Sequence, residues 1–371
     1  MKLKGNILTS RGWFLGEIAF GAVIEGIRGK SDAKPRYIVP GFIDVHVHGG
    51  GGGDAMDGVA GLEAMSRFHA AHGTTALLAT TITNPWDRVL AALEGISSFS
   101  SKSGAAVSGA RVLGAHLEGP FINPERLGAQ PPFTVLPTPN RVREILELGV
   151  VKVVTIAPEL EGALEAIRLF LEAGVRVSLG HTAATAEIAL EVFALAAKLG
   201  RSPLICGTHL YNAMGGLEGR NPGVVGALLG NPNSYAEVIM DGHHVHNSAF
   251  RAAFFAKPDK LMLITDAIRA AGQPDGDYDL GGQSVRLEGG AVRLETGALA
   301  GSVLTMLGAV KNAVAAGLAL EVALKLASLH PAQYLGLQGY GKLTVGAVAD
   351  VVVLSESLEV QAVYVGGQQV V

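Results

Sequence analysis

The segments VKVVTIA (151–157), LEGALEAIRLFLEA (160–173) and RVSLG (176–180) decide the fold. The first is a largely apolar run, and the third carries Val177 and Leu179 in a short stretch that ends in glycine. Apolar stretches of this length are typical of parallel strands buried on both faces of a sheet. The middle segment is rich in Ala and Leu and repeats its apolar residues with helical spacing. This order predicts a strand, a crossover helix and a second strand parallel to the first.

The same alternation extends in both directions, and other helices are predicted at Ala183–Leu199 and Val303–Ala316. We count eight strands: Phe42–His48, Thr75–Thr81, Val112–Leu117, Val151–Ala157, Arg176–Gly180, Leu204–His209, Ala236–Met240 and Leu261–Asp266. Eight alternations over roughly 250 residues predict an α/β fold, a (β/α)8 TIM-like barrel. A doubly wound open sheet is the alternative, but no G-x-G-x-x-G follows a strand.

The two ends of the chain differ in character from this centre. Residues 1–39 contain short strands separated by glycine turns, and residues 345–371 repeat that style. We therefore predict a small β-sandwich domain built from both termini (1–39 and 345–371) beside a barrel domain (40–344) that carries the chemistry. One irregular domain is the alternative.

Composition excludes several classes of protein. The chain has 371 residues, 49% of them apolar, and a net charge of −4, so intrinsic disorder is excluded. No basic block suggests a nucleic-acid partner, and no run of about 20 apolar residues suggests a membrane span. Cys206 is the only cysteine and Met1–Gly5 leads into no apolar signal core. We therefore expect a cytoplasmic protein.

The histidines carry the strongest functional signal. Of 11 histidines, eight lie in or just beyond the C-terminal ends of predicted strands: His46, His48, His116, His181, His209, His243, His244 and His246. In a barrel these strand ends meet at one mouth, where active sites lie. The sequence therefore predicts an active site there.

Several of these residues suit a metal ion. His46 and His48 point to the same side of the first strand, because side chains alternate along a strand. Glu118 ends the third strand, where a carboxylate is costly to bury unless it is paired or binds a cation; a solvated charge is the alternative. His181 and His209 end the fifth and sixth strands. Two histidines and a carboxylate form an open catalytic metal site, which lowers the pKa of a bound water from ~15.7 towards ~7.

Asp266 ends the eighth strand, in Thr265-Asp266-Ala267. This position suits a general acid or base beside the metal. A role as a further metal ligand is the alternative, and both roles are compatible.

With these motifs in place, the chain resembles the amidohydrolase superfamily, and within it the deacetylases of phosphorylated amino sugars. HLEGP (116–120) together with THLYNAM (208–214) carries most of the resemblance. It covers nearly the whole chain through further matching segments: Pro40–Gly49, Gly180–Thr182, DGHHV (241–245), TDA (265–267), LAGS (299–302) and GAVADVVV (346–353).

The resemblance implies metal-dependent hydrolysis of N-acetylglucosamine 6-phosphate to glucosamine 6-phosphate and acetate by metal-bound hydroxide. It implies that the principal divalent metal, zinc or iron, is held by Glu118, His181 and His209. The pair at His46 and His48 leaves space for a second, so we expect one or two metals per subunit. Asp266 would activate the water and then protonate the leaving amine, and His244 would polarise the acetamide carbonyl or hold the sugar.

The resemblance also implies a substrate-binding set: Ala129, Gln130, Asn212, Ala213, Arg220, His244 and Leu299. Asn212 and Ala213 would bind the sugar phosphate with Arg220, which would reach into the neighbouring subunit of a homodimer. Without the resemblance, Arg220 is interpreted as an exposed loop arginine. Three features depart from the family: Gln130 stands where His is common, Asn221 replaces a common Glu, and His243 and His246 are unusual.

Other functions remain open. One is the same chemistry on the N-acetylgalactosamine analogue or on a cyclic amide. Cyclic-amide enzymes of this superfamily usually bridge two metals with a carboxylated lysine at the end of the fourth strand, whereas Lys152 lies near the wrong end. A non-catalytic metal-binding barrel is a third alternative, but every acid, base and ligand position is present.

Overall fold

The computed structural model describes residues 1–29, 36–102 and 109–371; residues 30–35 of the predicted small domain lie outside the described residues. The described strands are β1 (Lys2–Thr9), β2 (Gly12–Phe20), β3 (Ile24–Gly29), β4 (Tyr37–Pro40), β5 (Phe42–Val47), β6 (Gly49–Gly50), β7 (Gly53–Asp54), β8 (Thr74–Thr81), β9 (Arg111–Glu118), β10 (Val151–Ile156), β11 (Arg176–Leu179), β12 (Ile205–Gly207), β13 (Ala236–Ile239), β14 (Leu261–Ile264), β15 (Gly276–Leu280), β16 (Gln283–Glu288), β17 (Ala291–Leu294), β18 (Val351–Leu354), β19 (Val360–Val365) and β20 (Gln368–Gln369).

The described α-helices are α1 (Gly58–Ala71), α2 (Trp86–Lys102), α3 (Pro139–Glu147), α4 (Ala163–Glu172), α5 (Ala186–Lys198), α6 (Gly223–Gly230), α7 (Asn247–Ala256), α8 (Met306–Ala315), α9 (Leu320–Leu326) and α10 (Leu329–Leu335). Single 3₁₀ turns lie at Ala55–Asp57, Pro124–Arg126 and Ser202–Leu204. Among the helices of the described ranges, none combines the length and apolar character that crossing a membrane requires.

The predicted strands form the barrel. Six pair in parallel in the order β12-β11-β10-β9-β8-β5, and β13 pairs in parallel with β14. Two backbone hydrogen bonds of 2.9 Å close the ring: the Tyr235 amide donates to the Ile205 carbonyl, and the Asp266 amide to the His46 carbonyl. The α/β barrel is therefore confirmed, and the open-sheet alternative is wrong.

Three predicted helices begin about one turn later than the apolar pattern suggests. Gly162 has a left-handed φ of 79° and precedes α4, so the helix cannot extend further back. Before α8, the Thr305 hydroxyl accepts a hydrogen bond from the Gly308 amide at 3.1 Å and caps the helix. Local turn chemistry, rather than the apolar pattern, therefore sets these boundaries.

Both ends of the chain contribute to one sheet, whose described order is β20-β19-β18-β4-β1-β2-β3. In its centre β4 pairs antiparallel with β18, placing Ile38 opposite Val353. Ile7 and Ile18 are buried in the same apolar cluster. The predicted sheet from both termini is therefore confirmed, while the domain boundaries themselves stay a prediction.

An antiparallel sheet, β15-β16-β17, is inserted after β14 and was not predicted from the sequence. The sequence pattern that indicates this sheet covers few residues. Val285 and Leu287 are buried between exposed neighbours. Glycine pairs turn the chain at 281–282 and 289–290. The sheet packs its apolar face on Ile82 and Ile268, beside the ends of the barrel strands. It therefore forms one wall of the barrel mouth.

His69 in α1 gives a prediction for stability. Its Nε2 donates to the Gly49 carbonyl at 2.9 Å, and burial lowers its pKa to about 4. The unfolded chain takes up this proton near pH 6.5, so the free energy of unfolding is highest above that pH and falls as the pH drops towards 4. Between pH 7.5 and pH 5 we expect a loss of about 2 kcal/mol from this histidine.

Urea unfolding of the wild type and His69→Gln at both pH values measures this loss. The variant should lose less stability on acidification than the wild type, by about 2 kcal/mol. Equal losses in the two proteins would show that His69 does not contribute the pH dependence.

Candidate metal centre and active site

Sharp turns after the barrel strands place the candidate metal ligands. His181 follows β11, and Asp266 follows β14 by two residues; both have φ values of 49°. His209 follows β12 with a φ of 28°. Such backbone is uncommon outside glycine and costs on the order of 1–3 kcal/mol per residue. All three side chains line one cavity at the barrel mouth, so the strain coincides with the site.

Glu118, His181 and His209 converge most closely. Glu118 Oε1 lies 3.2 Å from His181 Nε2 and 3.0 Å from His209 Nε2, and these two nitrogens are 3.0 Å apart. His181 Nδ1 donates to the Arg126 carbonyl at 2.9 Å, so Nε2 of the neutral ring presents a lone pair. Buried lone pairs that face one carboxylate oxygen suit a cation between them, and this donor set fits zinc or iron.

His46, His48 and Asp266 form an adjoining group. Asp266 Oδ1 lies 3.4 Å from His46 Nε2 and 3.2 Å from His48 Nε2. Glu118 connects the two groups, because its Oε2 lies 3.1 Å from His48 Nε2. The donors therefore suit a second cation beside the first.

Charge in the site is balanced within this cluster. Burial alone would raise the pKa of Asp266, but the charge of His46 and the hydrogen bond from His48 lower it to about 2. Burial likewise opposes ionisation of Glu118, whose pKa the histidines hold well below its ordinary value. Burial lowers the pKa of His48, but Asp266 and Glu118 together raise it to about 9. The carboxylates of Glu118 and Asp266 thus attract positive charge. A bound cation would supply that charge in place of the protons on His46 and His48.

Gln130 lines the cavity and also contacts Glu118, a candidate metal ligand. Its Nε2 donates to Glu118 Oε2 at 2.6 Å, and its Oε1 accepts from the Thr83 amide at 2.8 Å. The amide is buried, so it holds Glu118 in one orientation. The sequence indicated Gln130 only as a substrate contact.

The cavity has a volume of about 420 Å³, which is sufficient for a small molecule. It brings together most of the predicted site residues: His48, Glu118, Ala129, Gln130, His181, His209, Asn212, Ala213, His244, Asp266 and Leu299. His46 is fully buried and belongs to the adjoining group of candidate ligands. Arg220 is exposed and does not line the cavity described for this chain.

His244 reaches the cavity from the loop after β13. Its Nδ1 donates to Asp241 Oδ2 at 2.7 Å, and the backbone amides of His243 and His244 donate to Asp241 Oδ1. Burial alone would raise the pKa of Asp241, but these hydrogen bonds lower it. Asp241 therefore orients His244, a role that the sequence analysis did not assign.

Two of the three remaining strand-end histidines, His116 and His246, have other contacts. His116 is fully buried, and both of its ring nitrogens have partners: the Val45 carbonyl at 2.9 Å and the Thr155 hydroxyl at 2.8 Å. Burial lowers its pKa to about 4. His246 is exposed and caps α7 through the Ser248 amide. Neither side chain lines the cavity.

Two residues near the site were missed. Glu237 lies in β13 with no exposed surface and contacts His46; a carboxylate inside an apolar strand is the signal that could have found it. Arg293 lines the cavity from β17. Its partner in the adjacent strand β16 is Arg286. Because the inserted sheet was not predicted, Arg293 could not be placed.

Comparison with known proteins gives consistent matches. A model described as the amidohydrolase family matches residues 37–370. The chain is 40% identical to N-acetylgalactosamine-6-phosphate deacetylase of Escherichia coli O157:H7, over 98% of this chain and 97% of that protein. It is 41% identical to N-acetylglucosamine-6-phosphate deacetylase of Vibrio furnissii, over 91% of this chain and 83% of that protein.

Solved structures agree with these sequence matches. A mutant N-acetyl-D-glucosamine-6-phosphate deacetylase from Mycobacterium smegmatis, in complex with N-acetyl-D-glucosamine-6-phosphate, superposes with a TM-score of 0.91 at 34% identity, covering 100% of this chain and 99% of that one. N-acetylglucosamine-6-phosphate deacetylase from Thermotoga maritima gives a TM-score of 0.91 at 30% identity, with the same coverage.

Proposed function

Because this chain belongs to the amidohydrolase family, we propose that it is a metal-dependent hydrolase that cleaves the N-acetyl group of N-acetylglucosamine 6-phosphate, giving glucosamine 6-phosphate and acetate. The observation that carries this proposal is the convergence of Glu118, His181 and His209 beside Asp266 in one cavity. Relatives named as deacetylases of this sugar phosphate support the substrate.

Glu118, His181 and His209 would hold the principal divalent cation, zinc or iron. His46, His48 and Asp266 have the donors for a second, which gives one or two cations per subunit. When bound, such a cation supplies Lewis acidity and lowers the pKa of the attacking water.

Asp266 carries the proton in this mechanism. Its lowered pKa keeps the carboxylate ionised at neutral pH, so it can accept a proton from the attacking water. It then donates that proton to the amine nitrogen, which is a poor leaving group while unprotonated. The contacts with His46 and His48 hold the carboxylate at the cavity wall during both transfers.

His244 would either hold the sugar or polarise the acetamide carbonyl. With Nδ1–H on Asp241, Nε2 of the neutral ring accepts a hydrogen bond from a sugar hydroxyl. The protonated ring instead donates through Nε2, as polarising the acetamide carbonyl requires. Ala129, Gln130 and Leu299 complete the proposed sugar and acetyl contacts from the same cavity wall.

The phosphate is proposed to bind Asn212, Ala213 and an Arg220 contributed by the neighbouring subunit of a homodimer. Asn212 and Ala213 line the cavity, and the exposure of Arg220 in its own subunit is compatible with a contact across a dimer. A guanidinium suits a phosphate because its donors match the spacing of the phosphate oxygens.

Arg220→Ala tests the phosphate contact. We expect KM for N-acetylglucosamine 6-phosphate to rise by roughly 10- to 100-fold, because a charge-assisted hydrogen bond is lost. Hydrolysis of unphosphorylated N-acetylglucosamine should change little, and steady-state kinetics on both sugars measures the difference. Equal losses on both sugars would make Arg220 structural. A phosphate-selective loss in Arg293→Ala alone would instead assign the contact to the inserted sheet.

A second candidate substrate is the galactosamine epimer. The similarity to the Escherichia coli O157:H7 relative, over nearly the full length of both chains, favours it. Acetate release from both N-acetyl hexosamine 6-phosphates and their unphosphorylated forms tests the proposal. A higher kcat/KM for the glucosamine epimer supports the first candidate, and a higher value for the galactosamine epimer supports the second.

We further propose the domain division at 1–39 with 345–371 and at 40–344, supported by the one sheet that joins β1 to β4 with β18 to β20. A cytoplasmic location is also proposed. It is supported by Cys206, which is the only cysteine and is buried. The phosphorylated amino sugar is the proposed partner, with no nucleic acid or membrane partner.

A further inference from the structure

Glu237 is a buried carboxylate that the proposed mechanism leaves without a role. Glu237 follows Ala236 in β13, and its side chain is fully buried. Within the described residues, the ion pair formed by this carboxylate is with His46. Burying a charged group costs several kcal/mol unless its partners compensate. The partners of Glu237 therefore indicate what it does.

One oxygen of Glu237 contacts both metal-binding groups. Oε2 lies 3.0 Å from His46 Nδ1 and 3.3 Å from the His209 backbone nitrogen, and both nitrogens donate to it. The contact with His46 is to the imidazole itself, whereas the contact with His209 is to its backbone alone. Glu237 therefore acts directly on the ring of His46 and only indirectly on the ring of His209.

The contact fixes which nitrogen of neutral His46 carries the proton. With a proton on Nδ1, the ring donates to Glu237, and the lone pair lies on Nε2. In the other tautomer the Nδ1 lone pair would face Glu237 Oε2 at 3.0 Å, which is repulsive. Glu237 thus favours the tautomer that can ligate through Nε2.

The Nε2 atom of His46 points towards the second group of candidate ligands. It lies 3.4 Å from Glu118 Oε1 and 3.4 Å from Asp266 Oδ1, and has no hydrogen-bond partner among the described residues. The neighbouring His116, whose ring is 4.5 Å from that of His46, has both nitrogens occupied. His116 is therefore not available to replace His46 as a ligand.

We propose that Glu237 is a positioning residue that orients His46 and thereby gives the group of His46, His48 and Asp266 its affinity for a second divalent cation. The inference rests on the proposed function, since both take this cluster to bind metal. Outer carboxylates of this kind change metal affinity by about 10- to 100-fold. Replacing Glu237 should weaken mainly the binding of the second cation, because Glu237 contacts the principal site only through the backbone amide of His209.

The test counts bound metal in Glu237→Gln and Glu237→Leu. Glutamine keeps the size of the side chain but accepts either tautomer of His46, and leucine removes the acceptor without leaving a buried charge. Each protein is stripped with a chelator and titrated with Zn²⁺, and bound metal is measured by mass spectrometry. We expect two equivalents in the wild type, and a Kd for the second equivalent that rises about 10- to 100-fold in both variants.

Asp44→Asn is the matched control. Asp44 is also a buried carboxylate, but it contacts the backbone amide of His46 at 3.2 Å and the Thr265 hydroxyl at 2.5 Å, not the imidazole. Its second equivalent should bind as in the wild type. An equal loss in Asp44→Asn, unchanged binding in both Glu237 variants, or a single equivalent in the wild type would each overturn the inference. A wild type that binds two cations but releases no acetate, with a raised Kd for the second equivalent in both Glu237 variants, would contradict the proposed function and leave the role of Glu237 supported.

Discussion

Asp266→Asn is expected to lower kcat by about 10²- to 10⁴-fold, because asparagine cannot accept the proton of the attacking water or return it to the amine. The variant should still fold and keep the principal cation, since Glu118, His181 and His209 are unchanged. Steady-state kinetics, circular dichroism and metal analysis of the same preparation measure these three outcomes.

The control for this variant is Asp54→Asn. Asp54 is equally buried near the barrel mouth, but it accepts a hydrogen bond from the Met56 amide and pairs with Arg269. It does not line the cavity, so its replacement should leave kcat close to that of the wild type. An Asp266→Asn variant with wild-type turnover would remove Asp266 from proton transfer. Loss of the principal cation in that variant would make Asp266 a ligand to it.

Glu118→Gln is expected to weaken binding of the principal cation by about 100-fold or more, since a direct ligand contributes at least as much as its outer partners. Glu118 lies within 3.4 Å of His46, 3.1 Å of His48, 3.2 Å of His181 and 3.0 Å of His209. Its charge therefore supports both metal-binding groups. Metal content after dialysis and acetate release should fall together.

Glu159→Gln is the matched control for Glu118. Glu159 is a carboxylate on the neighbouring loop that accepts hydrogen bonds from Asn123 and Thr182 and contacts none of these histidines. Its replacement should leave metal content unchanged. Full metal retention in Glu118→Gln would show that the principal cation is held by other donors.

The barrel and the polar side chains at its mouth were predictable from the sequence for one physical reason. Strands buried on both faces are apolar, so a polar residue at a strand end is conspicuous. His181, His209 and Asp266 are such residues, and the parallel order of the strands brings their ends to one mouth. The structure accordingly places all three in one cavity.

The parts that were not predictable depend on contacts between distant segments. Glu237 contacts His46, which is 191 residues away in the sequence, and no local sequence pattern predicts that contact. The inserted sheet that carries Arg293 has strands of four to six residues, which are short enough to be interpreted as a loop. The hydrogen bond from Gln130 to Glu118 depends on the path of an irregular loop, for which periodicity gives no information.

Acetate release from N-acetylglucosamine 6-phosphate measures metal-dependent deacetylation itself. The purified protein is measured as loaded with zinc or iron, after chelation, and after the metal is returned. The predicted result is release by the loaded protein, loss after chelation and recovery when the metal is restored. Full turnover by the metal-free protein, or no acetate from the loaded protein, would rule out metal-dependent deacetylation of this sugar.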